Sequence, residues 1–154
     1  TRGRWPVLPL LLSILLVFGW NLRYQAQTAI KSDFRAAAAF VEEHYQPEDL
    51  LLFQIPHGRY TFDYYFGPTG YAAAGGLYTN HREDDGSYQM TEDQAAAQME
   101  RLTHGHKRVW LVATEVAMWD QRHLVEEWLA SWGTVVRAEH FARVDVTLYE
   151  LPRR

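Results

Sequence analysis

Hydrophobic and polar positions change their period several times along the chain, and each change marks an element. Residues Trp5 to Leu22 (WPVLPLLLSILLVFGWNL) carry no charge in 18 positions, 13 of them apolar. At about 1.5 Å rise per residue, such a helix spans roughly 27 Å, close to the hydrocarbon thickness of a bilayer. Arg2 and Arg4 precede the block and Arg23 follows it. Trp5, Trp20 and Tyr24 stand where interfacial aromatics belong. Pro6 and Pro9 fall in the first turns, where a missing N–H costs least. The block reads as a transmembrane helix over about residues 5–22, with a juxtamembrane linker to residue 31. A secretory signal peptide fits less well. Its apolar region would be unusually long, and only Ala26-Gln27-Thr28 resembles a cleavage site. A buried core helix fits no better than the signal peptide, because such helices rarely run 18 residues without a charge. Residue 1 is Thr rather than Met, so a processed chain or a piece of a longer one is expected.

From residue 32 the periods shorten. Ser32 or Asp33 is placed to cap a helix from Phe34 to about Tyr45, with Phe34, Ala37, Ala38 and Val41 on one face. Pro47 ends it. Asp49 to Ile55 (DLLLFQI) is nearly continuous in apolar residues, as in a strand covered on both faces. Tyr60 to Phe66 (YTFDYYF) reads as a helical turn or short helix closed by Gly67-Pro68. Residues 67–90 hold five glycines and the run Arg82-Glu83-Asp84-Asp85, and read as one long loop, either a lid or a flexible insert. Thr91 caps a helix to about Thr103, with Gln94 at the capping-box position. Arg108 to Thr114 is a second strand. Asp120 starts a helix through Leu124, Val125, Trp128 and Leu129, and Gly133 stops it. Thr134 to Ala138 and Val144 to Leu151 are two closing strands. In the second, Val144, Val146 and Leu148 face inward and Asp145, Thr147 and Tyr149 outward. Strands alternating with helices favour a mostly parallel sheet covered on both faces. The expected fold class is α/β: one transmembrane helix, then a small α/β sandwich over residues 32–154 with an antiparallel edge hairpin.

Charge divides the chain in the same place. Residues 32–154 hold 11 basic and 19 acidic residues, a net of −8, whereas residues 1–31 hold only basic ones. The basic residues flanking the helix are nearly balanced, so the acidic domain decides the expected orientation. It is not drawn to anionic cytoplasmic headgroups and is expected outside the cytoplasm. No basic footprint for nucleic acid exists. The chain has no cysteine, which removes disulfides, thiolate metal sites and Cys nucleophiles.

Candidate chemistry is sparse. His104 and His106 flank Gly105, but no third ligand is identifiable, and His44, His57, His81, His123 and His140 are scattered. A polar turn at a helix end is the preferred reading, and no metal or cofactor is expected. The acidic run at residues 82–85 lacks the spaced oxygens of a calcium loop. No dinucleotide, Walker or nucleophile-elbow pattern occurs. Trp110, Trp119, Trp128 and Trp132 lie on core elements and read as packing. Asp63 sits among Tyr60, Tyr64 and Tyr65. A carboxylate ringed by aromatics suits a sugar or partner contact, or else an anchor for tyrosine hydroxyls, which is the favoured reading.

The order of the pieces carries a resemblance. A transmembrane helix leads into Lys31-Ser32-Asp33-Phe34-Arg35-Ala36-Ala37. Pro47-Glu48-Asp49 precedes a strand, and Phe62-Asp63-Tyr64-Tyr65 follows. Then come Arg108-Val109-Trp110-Leu111-Val112 and Val146-Thr147-Leu148-Tyr149. Over nearly the whole chain this resembles the C-terminal end of bacterial family-39 glycosyltransferases, the protein O-mannosyltransferase-like group with the GT-C architecture. The resemblance implies a parent with many transmembrane helices and a polyprenyl-phosphate sugar donor. Its catalytic acidic residue lies in an early extracytoplasmic loop that nothing here matches, so no catalytic residue is expected in this chain. The expected role is a non-catalytic C-terminal domain in contact with the lipid bilayer and the parent's other helices. An alternative is a single-pass accessory subunit of a larger membrane assembly. A third is a free sugar-binding module centred on Asp63.

Overall fold

The computed structural model describes residues 7–27 and 31–152, which fall into two units divided between Lys31 and Ser32. The first is a single helix, α1 (Val7–Gln27), of 21 residues or about 32 Å. Its segment from Leu8 to Gln25 is long and apolar enough to cross a membrane. Trp20, Arg23 and Tyr24 are exposed near its C-terminal end, while Trp5 lies outside the described residues.

The second unit is a five-stranded sheet with helices on both faces. Its elements are α2 (Phe34–His44), β1 (Leu50–Phe53), α3 (Gly58–Asp63), β2 (Ala72–Gly75), α4 (Glu92–Thr103), β3 (Arg108–Ala113), α5 (Val116–Trp119), α6 (Leu124–Trp132), β4 (Thr134–Phe141) and β5 (Val144–Glu150). The strand order is β2-β1-β3-β5-β4. β1 lies parallel to β2 and β3, while β5 is antiparallel to both β3 and β4. The expected α/β class and antiparallel edge hairpin are therefore present.

The side-chain alternation of the strands sorts the core into two layers. On one face Leu51, Phe53, Trp110, Val112, Val144, Val146 and Leu148 pack under Phe34, Ala37, Ala38 and Val41 of α2 and Phe62 of α3. On the other, Leu50, Leu52, Val109, Leu111 and Tyr149 pack under Met99 of α4 and Val125, Trp128 and Leu129 of α6. Tyr149 is thus buried beneath the second helix layer rather than turned to solvent, because β5 is an inner strand with both faces covered near its end.

The caps follow the residue types. Asp33 accepts the Ala36 N–H at 3.0 Å, and Thr91 and Gln94 form the reciprocal capping box of α4. Asp120 acts from four residues before α6. Its buried carboxylate accepts the N–H groups of Leu124 (3.2 Å) and Val125 (3.0 Å) and the Thr79 hydroxyl. The helix itself begins at Leu124, not at Asp120.

Residues 67–90 differ most from the expectation of one loop. Ala72–Gly75 adds a parallel edge strand to β1. Gly76 follows against the Gln54 backbone, where a Cβ would meet the carbonyl oxygen at 2.8 Å. The remainder is clamped by Arg122, whose guanidinium donates to the carbonyls of Thr79 (3.0 Å) and Met90 (2.7 Å) and lies 3.9 Å over the Tyr88 ring. Arg82 covers the same ring at 4.1 Å. The acidic run is a solvated turn in which Asp85 accepts from Ser87, and those bonds hold its carboxyl below the usual range.

Candidate functional site

Three places in the domain gather polar side chains. The first is the α3 face. Asp63 is taken up by Arg59 of its own helix and by Tyr71 beyond it. It accepts from the Tyr71 hydroxyl and from Arg59 Nε at 3.3 Å, and the Arg59 guanidinium lies 5.2 Å over the Tyr71 ring. Burial first, and then the Asp63 carboxylate, push the Tyr71 hydroxyl up to about 12. Asp63 therefore anchors a tyrosine hydroxyl, and that tyrosine is Tyr71 rather than Tyr60, Tyr64 or Tyr65. Those three are arranged differently. Tyr60 and Tyr64 project outward, 80% and 83% exposed. Tyr65 packs edge-on to Tyr64 and lies under Arg35, 5.3 Å from its guanidinium.

The second place is a groove of about 570 Å³ over β3, β5 and β4, beyond the N-terminal end of α6. Leu111, Ala113, Ala138 and Thr147 lie on its floor, and Glu115, His123, Glu126, His140, Arg143 and Asp145 stand around it. These side chains are paired. His140 meets Asp145 directly across the hairpin, His123 meets Glu126 at 3.3 Å, and Arg143 meets Glu115 at 3.2 Å. Glu115 (φ 50°), His123 (φ 55°) and Arg143 (φ 57°) are the three positive-φ residues other than glycine among the described residues, and all three line this groove. Each carries a backbone cost of roughly 1–2 kcal/mol, a kind of strain that concentrates at functional sites. Tight connections explain the conformations locally. Arg143 is the second residue of a two-residue hairpin loop, and Thr114 donates to its carbonyl at 2.9 Å. Chemically, the groove offers two imidazoles each oriented by a carboxylate, with an acidic balance around them. Among the described residues no group of three or more His, Cys, Asp or Glu is placed to hold a metal.

The third place is the opposite rim of the sheet, where a groove of about 550 Å³ is lined by His104, Gly105, His106, Lys107, Trp128 and Trp132, with Glu100 at its side. His106 Nδ1 lies 3.2 Å from the Glu48 carbonyl, so the His-Gly-His segment ties a turn to the start of β1. Trp110 and Trp128 are core residues as expected, but Trp132 is half exposed and forms part of this groove.

Sequence reading singled out the α3 tyrosines and missed the grouping of His123, His140, Glu115 and Arg143. The available signal was the closeness of the two closing strand patterns. The first runs on to Phe141 rather than ending at Ala138, so the link is the two-residue turn Ala142-Arg143, which brings His140 opposite Asp145. No protein-family model matches the chain, and neither a curated protein nor a solved structure does.

Proposed function

We propose that this chain is the membrane-anchored C-terminal part of a glycosyltransferase resembling family 39, and that its α/β domain is itself non-catalytic. One observation carries the reading. Apolar residues from four of the segments that prompted the resemblance are far apart in sequence yet meet in one layer of the domain, while Val109, Leu111 and Tyr149 of the same segments pack in the other layer. Phe34, Ala37, Phe62, Trp110, Val112, Val146 and Leu148 share a single core cluster. Beneath it, the Asp49 carboxylate of the Pro47-Glu48-Asp49 segment joins Arg108 and Trp110 of β3. The buried residues of the quoted segments thus belong to the scaffold of the domain, as expected of a domain signature rather than of a reaction centre, while Arg35, Asp63, Tyr64 and Tyr65 stand at its surface. The domain stands outside the cytoplasm in this reading, because of its acidic balance. Its own contribution is to shape acceptor access beside a polyprenyl-phosphate donor bound elsewhere in the parent.

The test is donor consumption. Membranes holding the native gene product consume a radiolabelled polyprenyl-phosphate sugar, and membranes without the gene do not. The 154-residue chain alone, in liposomes, leaves the donor intact. Consumption by the chain alone contradicts the non-catalytic role, and equal consumption with and without the gene contradicts the transferase.

A second reading, a single-pass accessory subunit, is favoured by the two outward tyrosines. Tyr60 on α3 and Tyr64 at its C-cap, which keeps helical backbone, are four residues apart, a spacing that presents both rings to one partner surface.

A further inference from the structure

We propose that β4 pairs with β4 of a second copy of this chain, antiparallel, about a two-fold axis through Ala138. β4 is a sheet edge, and its outer side meets no other strand among the described residues. Thr134 to His140 are all exposed. A strand of eight residues with a free edge is a template for another strand, unless its side chains or a bulge prevent it. β4 has a bulge and has charges, so their placement decides.

The bulge lies between Val135 and Arg137, at the start of the strand. From Arg137 to Phe141 the pairing with β5 is regular. Arg137 stands opposite Leu148 and Glu139 opposite Val146, so both charged side chains point to the α2 face. Neither has a hydrogen-bond or ion-pair partner among the described residues. In the register centred on Ala138, Arg137 faces Glu139 of the second copy and Glu139 faces its Arg137. Two reciprocal ion pairs form, as an isologous contact requires. A register centred on Arg137 or on Glu139 sets like charges face to face. A shift of one residue leaves both charges opposite uncharged side chains. The strand is therefore complementary to itself in this register, and its charges discourage the neighbouring ones.

Such an edge buries less than the ~1,200 Å² of a stable dimer in free solution. Confinement of two anchored copies in one bilayer raises their effective concentration enough for a weak edge to pair. That last step rests on α1 being membrane-embedded. Nothing in the pairing rests on sugar transfer, so failure here and failure of the glycosyltransferase reading are separate results.

The chain has no cysteine, which makes the test direct. Full-length Ala138→Cys in liposomes at high lipid excess places two thiols on the axis. Directly opposed residues in antiparallel strands lie about 4.5–5.5 Å apart at Cα, within disulfide reach. His140→Cys, two residues along, sets its thiols about 13 Å apart, beyond reach. Under mild oxidation, Ala138→Cys forms the cross-linked dimer about tenfold faster than His140→Cys. In the Ala138→Cys background, Arg137→Glu slows cross-linking, Glu139→Arg slows it, and the two together restore it. Equal rates at positions 138 and 140, or a double charge swap that fails to restore the rate, overturn the proposal.

Discussion

Trp110 donates its indole N–H to the carboxylate of Asp49 at 2.8 Å, across 61 residues of chain. Arg108 pairs with the same carboxylate, its Nε 2.9 Å from the other oxygen and its Nη2 donating at 3.2 Å, and the Gln46 N–H closes the set at 3.0 Å. Asp49 is 1% exposed and Trp110 fully buried. A buried carboxylate with this many donors ties the turn before β1 to β3 and helps set the register between the two strands. Removing one partner of such a group costs more than the group adds as a whole, because a charge is left uncompensated.

Asp49→Ala therefore destabilises the domain by about 3–5 kcal/mol. Trp110→Phe costs less, about 1–3 kcal/mol, since Arg108 still neutralises the carboxylate and the ring volume is partly kept. Urea unfolding of the detergent-solubilised chain, followed by far-UV circular dichroism, measures both. Equal costs would show that the ion pair adds nothing beyond the indole contact.

The α3 face separates anchor from contact. Asp63→Asn weakens the link to Arg59 and Tyr71 and lowers stability by about 1 kcal/mol. Tyr60→Ser and Tyr64→Ser change stability by no more than about 0.5 kcal/mol, since both side chains are exposed. If the two tyrosines contact a partner or acceptor, the double variant loses co-purification or acceptor modification at unchanged thermal midpoint. A large drop in the midpoint would instead place them in the fold.

Much of this architecture was legible in the residues. The Phe34–Val41 face, the capping box at Thr91 and Gln94 and the alternation from Val144 to Leu148 each repeat with the period of their element. What was not legible lacks such a period. Ala72–Gly75 is a strand of small residues in a glycine-rich stretch, with no β-branched side chain to mark it. It is a strand because β1 offers an open edge. Val116–Trp119 is a single turn, too short to show a repeat. The groove at His123 and His140 is lined by left-handed backbone at Glu115, His123 and Arg143, and of these types only His is enriched in that conformation.

High pH tests the half-buried Tyr71 hydroxyl and the buried Tyr149. Burial, and then Asp63 for Tyr71 and Glu126 for Tyr149, push both hydroxyls up to about 12. The folded state keeps these protons where the unfolded chain has lost them, above about pH 10. Stability from these groups is fully present below pH 10 and falls as pH rises from 10 towards 12. The unfolding midpoint drops over that window, and the drop is smaller in Tyr149→Phe. An identical pH profile in that variant would show that Tyr149 titrates as an ordinary tyrosine.

Arg122 holds residues 79–90 by two carbonyls and one aromatic face. Arg122→Ala opens this segment while β1 and β3 remain paired. Limited proteolysis then cuts near Arg82 at least several-fold faster, with little change in far-UV circular dichroism. Arg122→Lys rescues only in part, because an ammonium lacks the flat face that stacks on Tyr88. Full rescue by lysine would reduce the clamp to charge alone.

The central claim is that this helix and domain form one end of a larger transferase. An antibody against residues 32–154, applied to native membranes on a denaturing gel, tests it most directly. A band several times 17.9 kDa is the result the claim predicts. A band near 17.9 kDa contradicts it and leaves a single-pass subunit as the reading of the chain.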